Sequence, residues 1–231
     1  MWRFLSVRSP FFFLILIVLS VPPFAAKLPA QEVVSVRVQI DAEPMWAAAL
    51  GLPYPLDGQR VVAAAREEAR RVFSAMIYGW SFEWIPGNTL RGIDEELILD
   101  PFGEVDGADG RLRLVSTEHK GSRFAFFVEY TPTEHERRRY DAWQSAGFAN
   151  VHGSGALALS SSQDAKWLAL EDAARSAVAA LVQSRERTRP RRVFGSLALE
   201  SPPRIWIAGG QWRVQARFRV AIEDIEAYLL W

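Results

Sequence analysis

"AREEARRVFSAMI", residues 65–77, and "ALEDAARSAVAAL", residues 169–181, write one helical pattern twice. At a fixed offset of 104 residues, Ala65 falls on Ala169, Glu67 on Glu171, Glu68 on Asp172, Ala69 on Ala173, Arg71 on Arg175, Ala75 on Ala179 and Ile77 on Leu181. At the same offset Pro86 falls on Pro190. Small residues one turn apart let a helix lie close to a sheet. Acid early and arginine later suit the helix dipole. Alanine-rich amphipathic helices resemble one another by chance, but the shared proline and the similar flanks favour an internal duplication.

Those flanks read as strands. "EVVSVRVQI" at 32–40 and "GSGALALSS" at 153–161 alternate before the helices; "GWSFEWIP" and "SRERTRP" follow them, each ending at the shared proline. Each copy closes in a hairpin: "RLRLVSTEH" and "SRFAFFVEYTP" around Lys120-Gly121, then "PRIWIA" and "QWRVQARFRVAI" around Gly209-Gly210. Period-two alternation with a glycine turn is the hairpin signal. The expected fold class is therefore α+β: two related strand–helix–sheet units, each a helix packed on a small, mostly antiparallel sheet. The first unit spans 31–132, with insertions at 41–59 and 87–110. A charged helix and linker fill 133–152, and the second unit spans 153–231, its tail "EDIEAYLLW" read as a short helix or strand.

Residues 1–30 read as an export signal. Arg3 and Arg8 precede the apolar run "FFFLILIVLSV", Phe11 to Val21, and then come Pro22, Pro23 and small residues. Cleavage, after Ala26 or Ala30, is favoured over an uncleaved anchor, because the apolar stretch is short and holds two prolines. Either outcome puts the remainder outside the inner membrane of a bacterium, with the periplasm as the expected location. The chain has no cysteine, which rules out disulfides, thiolate chemistry and a lipid-attachment cysteine. Its formal net charge is zero, so the whole molecule is not built to attract polyanions.

Chemistry is hard to find. His119, His135 and His152 have no partner at metal-ligand spacing. No G-x-S-x-G elbow is present, and Ser160–Ser162 precede a helix where Ser162 and Asp164 suit a turn or cap. The acidic stretch Asp94, Glu95, Glu96, Asp100, Glu104, Asp106 and Asp109 lacks calcium-loop spacing; paired carboxylates from it could serve a hydrolase. No catalytic residue, metal or cofactor is expected. Trp80, Phe82 and Trp84 share a strand face and read as core, as do most aromatics of "FAFFV", a strand apolar on both faces that lies in the middle of a sheet or meets a second layer.

The candidate binding residues are Arg185, Arg187, Arg189, Arg191 and Arg192 in "LVQSRERTRPRRV", residues 181–193. As a strand, 184–190 would put Arg185, Arg187 and Arg189 on one face. That edge is either a solvated charge strip that prevents aggregation or a dock for an anionic envelope polymer or an acidic protein. Nucleic acid is not expected as a partner, and membrane contact is expected only through a retained N-terminal anchor.

"GSGALALSSSQDAKWLALEDAARSAVAALV" followed by "GGQWRVQARFRV" resembles exported bacterial domains of the flagellar assembly protein T N-terminal type and the related Lpp20-like lipoproteins. In those, a glycine–alanine strand precedes an A…A.R.…L helix, and an aromatic-x-V strand closes the unit. The similarity covers about residues 153–222; the lipobox cysteine of those lipoproteins has no counterpart here. The resemblance implies a non-enzymatic envelope or flagellum-associated module and carries over no catalytic residue. The expected function is an interaction or assembly protein of the cell envelope; the alternative is an envelope hydrolase or carbohydrate-binding protein using residues 94–109.

Overall fold

Gly153 and Gly155 decide where one helix sits. In a computed structural model, which describes residues 33–44, 46–47, 51–107, 110–159, 164–186 and 188–228, both glycines lie on β6 (Ala149–Ala158) under α3 (Ala165–Arg185). A methyl group on Gly153 would overlap the carbonyl oxygen of Ala173, and one on Gly155 that of Ala169. Ala169, Ala173 and Ala177, all fully buried, form the facing stripe. Small residues on both partners bring helix backbone onto strand backbone, as the alanine spacing predicts. The export-signal reading of residues 1–30 lies outside the described residues.

The other elements follow from local signals. α1 (Gly58–Ile77) starts at Asp57, whose side chain accepts the Arg60 N–H at 2.8 Å, and ends before Gly79, at φ 67°. It buries Val61, Ala65, Ala69, Val72, Phe73 and Met76. α2 (Glu134–Trp143) opens with a capping box between Thr133 and Glu136. The strands are β1 (Val34–Asp41), β2 (Trp80–Ile85), β3 (Glu96–Pro101), β4 (Leu112–Lys120), β5 (Arg123–Tyr130), β7 (Arg192–Leu199), β8 (Arg204–Ala208) and β9 (Gln211–Glu226).

They make two antiparallel sheets, so the α+β class stands. One is three-stranded, in order β1-β5-β4; the other is six-stranded, β3-β2-β7-β9-β6, with β8 added on β9. β5, apolar on both faces, is the central strand of its sheet, one of the two placements expected. Both hairpins form where the glycines stand: Lys120 pairs Arg123, and Ala208 pairs Gln211 across Gly209 and Gly210, both at positive φ. Phe82 and Trp84 are buried. A single hydrophobic cluster joins residues of α1, α3 and both sheets.

Three expectations need correction. Residues 184–190 are not a strand: α3 continues to Arg185, and the next strand, β7, starts at Arg192. The alternation R-E-R-T-R offers no apolar face to bury, whereas "VFGSLAL" does, and five consecutive residues of β7, Gly195 to Leu199, are buried. β2 pairs with this strand, Trp80 opposite Leu197 and Trp84 opposite Val193. The insertion 87–110 holds β3, whose Leu97 and Leu99 face Trp84 and Phe82. The linker assigned up to residue 152 is already strand from Ala149, including His152. Of the two readings of the tail, strand holds as far as Glu226: it continues β9, because that half of β9 pairs β7.

Candidate functional site

β1 and β8 are edge strands. Among the described strands β1 is bonded only to β5, and β8 only to β9. Between them lies an open cleft of about 800 Å³. Its lining takes consecutive residues, Val36 to Asp41 from one bank and Pro202 to Ile207 from the other. A cleft over a sheet face would touch alternate residues only; unbroken runs mean that it runs along the strand edges. A second cleft, of about 280 Å³, continues along the same edge past Val33, Val34 and Ser35 and shares Pro202. Among the described residues, none pairs with the β1 edge along its length.

The pairing shows which peptide groups face the cleft. The Ala42 N–H donates to the Ser122 carbonyl at 2.8 Å, in step with the Asp41–Arg123 pair. Peptide groups alternate direction along an antiparallel strand. Val36, Val38 and Ile40 thus bond β5, while Arg37, Gln39 and Asp41 turn their N–H and C=O into the cleft. On the other bank, the Leu159 N–H donates to the Gly210 carbonyl at 3.1 Å and the Glu200 N–H to the Arg217 carbonyl at 2.9 Å. Even residues of β9 therefore serve β6 and odd ones serve β8. Arg204, Trp206 and Ala208 are bonded to β9, and the peptide groups of Ile205 and Ile207 face the cleft.

The side chains divide by face. On the inner side Val36 and Val38 are buried, and Ile40, Phe124, Ile205 and Trp212 pack against the same core. Val72 and a Glu68–Lys166 ion pair close this side. Lys166 also sits over the rings of Trp212, at 5.7 Å, and Trp167, at 5.9 Å. The insertion at 41–59 reaches the same corner: Trp46 meets Trp212 edge-on at 6.1 Å and Tyr54 at 6.2 Å. On the outer side Arg37 pairs Glu118 at 3.2 Å and Arg123 pairs Asp41 at 3.7 Å. Lys120, at the end of β4, and Arg204, on β8, have no carboxylate partner among the described residues, so this side carries excess positive charge.

The arginine segment is not gathered into one strip. Arg189 donates to the Gly87 carbonyl at 2.6 Å, and Arg192 pairs Glu83 at 3.1 Å. Arg185 ends α3 and is exposed, as is Arg191, whose backbone N–H bonds the Glu226 carbonyl. Arg187 lies outside the described residues, as do Ser160–Ser162 and Asp109. The acidic insertion is spread out too. Glu95 accepts the indole N–H of buried Trp84 at 3.0 Å, and Glu104 pairs Arg70 at 2.7 Å. None of the described residues of 94–107 lines either cleft. His119 stacks on Phe124 at 5.8 Å and lines the groove; His135 lies on α2 and His152 on β6, and no group of three potential metal ligands occurs among the described residues.

One buried carboxylate remains. Glu136, 4% exposed, accepts from the hydroxyls of Tyr78 and Tyr130, both at 2.9 Å. It also accepts from the Thr133 N–H at 2.8 Å, the Thr133 hydroxyl at 2.9 Å and Arg111 at 2.6 Å. Burial alone would raise its pKa, but the bonds from Thr133, Tyr130 and Tyr78 outweigh it and hold the group down at about 2. Five donors saturate the lone pairs, so the group ties α1, α2 and β5 together and has nothing left for a ligand.

Sequence reasoning missed the groove. The alternation in "SVRVQI" marked β1 as half-buried, but which strand edges stay open depends on strand order, which no local pattern encodes. No described helix is long and apolar enough to cross a membrane. No curated protein and no solved structure matches the chain. A family model does match residues 24–228, and the chain belongs to that family, one of uncharacterised proteins.

Proposed function

We propose that this protein is a non-enzymatic interaction or assembly component of the bacterial envelope, working in the periplasm, and that it docks its partner in the groove between β1 and β8. The observation that carries the reading is the pair of open strand edges facing one cleft, with apolar side chains on one side and unpaired cations on the other. Edge strands are ordinarily blunted or covered, and a long open one is a template for pairing. The export-type N-terminus and the resemblance of residues 153–222 to flagellum-associated envelope domains supply the compartment and the class.

We read the body as a duplicated unit. β1, α1 and the β4–β5 hairpin correspond to β6, α3 and the β8–β9 hairpin; in each, the first strand pairs the last and the hairpin adds outside it. The groove then lies where the first strand of one unit meets the hairpin of the other. The exposed Arg185 and Arg191 are a secondary contact for an anionic envelope polymer.

The test is photo-cross-linking in cells exporting the full chain. A cross-linker at Ile207, 45% exposed in the groove, is expected to trap a discrete protein partner, and one at Leu90, 97% exposed and outside both clefts, is not. Adducts from Leu90 alone, or none from Ile207, would count against the groove. Changing Arg185 and Arg191 to Ser is expected to leave the Ile207 adduct in place.

A further inference from the structure

We propose that the groove accepts an extended segment of another protein as an added β-strand between β1 and β8, with apolar residues alternating with acidic ones. This rests on the docking reading above and specifies what docks.

Backbone geometry sets the mode. Arg37, Gln39 and Asp41 on one bank, and Ile205 and Ile207 on the other, turn their peptide groups toward the same space. A guest strand alternates its own N–H and C=O in both directions, so one backbone can bond both banks. Its insertion would run the sheets together as β4-β5-β1-guest-β8-β9. No side-chain ligand, sugar or small anion would satisfy two rows of peptide groups at once.

Side-chain geometry sets the sequence. Alternate guest residues point to opposite faces. Those pointing inward meet Val36, Val38 and Ile40 from β1 and Ile205 and Trp212 opposite, so they are apolar. Those pointing outward pass Arg37 on β1 and Arg204 on β8, on a face whose lining holds more cations than carboxylates, so they are acidic. Asp41 stands in one cross-strand row with Arg123 and Lys120 and would repel an acid placed beside it, so the preferred register sets the acids beside Arg37 and Arg204 instead.

The probe is the peptide acetyl-Val-Glu-Val-Glu-Val-Glu-amide, titrated into the full chain and followed by Trp fluorescence and by residue-resolved amide exchange. Saturable binding is expected, with slowed exchange at Arg37, Gln39, Asp41, Ile205 and Ile207 and little change at Val36, Val38 and Ile40, whose amides are already bonded. The same peptide with Lys for Glu is expected to bind at least about tenfold more weakly, as is a probe N-methylated on one bonding face, since each lost hydrogen bond or charge contact is worth roughly a factor of ten. Gln39→Pro removes a donor that faces the groove alone and is expected to weaken binding similarly; the N-methylated probe gives the same answer should that variant misfold. Equal binding of the N-methylated probe would overturn strand addition while leaving a side-chain docking groove intact. Equal binding of the Lys peptide would overturn the acidic specificity. Protection of the same amides by self-association, rising with protein concentration without probe, would assign the groove to a second copy instead.

Discussion

Gly153→Ala is expected to destabilise the protein by about 3–5 kcal/mol, the upper end of what a single added methyl group does. The methyl has nowhere to go. It would overlap the Ala173 carbonyl oxygen and lie 3.1 Å from the Ala177 β-carbon, so α3 must lift off β6. Lifting it opens contact along Ala169, Ala173 and Ala177, the stripe that seats the helix. For a folded body of this size the midpoint of thermal unfolding should fall by roughly 10–15 °C. Ser154→Ala, one residue along and exposed on the opposite face, should change stability by no more than about 0.5 kcal/mol. Two similar losses, or two similar silences, would mean that the close approach of α3 to β6 does not hold the fold.

Glu136→Gln comes second in size, at about 3 kcal/mol, and its loss should depend on pH. The group ionises at about 2 in the folded protein and near ~4.3 when unfolded. The folded pKa is depressed, so its contribution is fully present above the unfolded value and disappears as pH falls through the folded one. A depression of about two units corresponds to roughly 3 kcal/mol. The amide keeps the shape but loses the charge facing Arg111, and turns an NH2 toward donors from Tyr78, Tyr130 or Thr133. Chemical unfolding of both proteins should show a constant gap from pH 7 to about 5 and a shrinking one from there toward pH 2. A gap independent of pH would show that the ionised state of Glu136 is not what stabilises the junction. Thr133→Ala, which removes one hydroxyl partner and the cap of α2, should cost about 1 kcal/mol.

What the sequence revealed follows the range of the interactions involved. Helices and hairpins are local: the Ala65/Ala169 match, the cap chemistry at Thr133 and Gly209-Gly210 can be read within a few residues. The apolar character of β5 on both faces allowed either a middle strand or a second layer; the structure takes the first, and Phe127 on its outer face stays exposed. At 184–190 the two copies diverge, so the 104-residue offset no longer carries structure from one to the other. The shared Pro190 suggested a strand end, yet the apolar run that can be buried begins only at Val193. β3 was hidden in a stretch whose charges drew attention, although Leu97 and Leu99 alternate there. The groove could not be read at all. It is made where, among the described strands, β1 and β8, residues 34–41 and 204–208, have no second neighbour, and strand order at that separation is settled by the whole core.

Two strand edges open toward one cleft should leave a signature in amide exchange of the unliganded protein. Val36, Val38 and Ile40 on β1, and Arg204, Trp206 and Ala208 on β8, are expected to exchange slowly. Arg37, Gln39, Asp41, Ile205 and Ile207, between them in the chain, should exchange on the order of 100-fold faster, giving a period-two pattern on both banks. Uniform slow exchange along both strands would mean that the edges are already paired, and would contradict the docking groove.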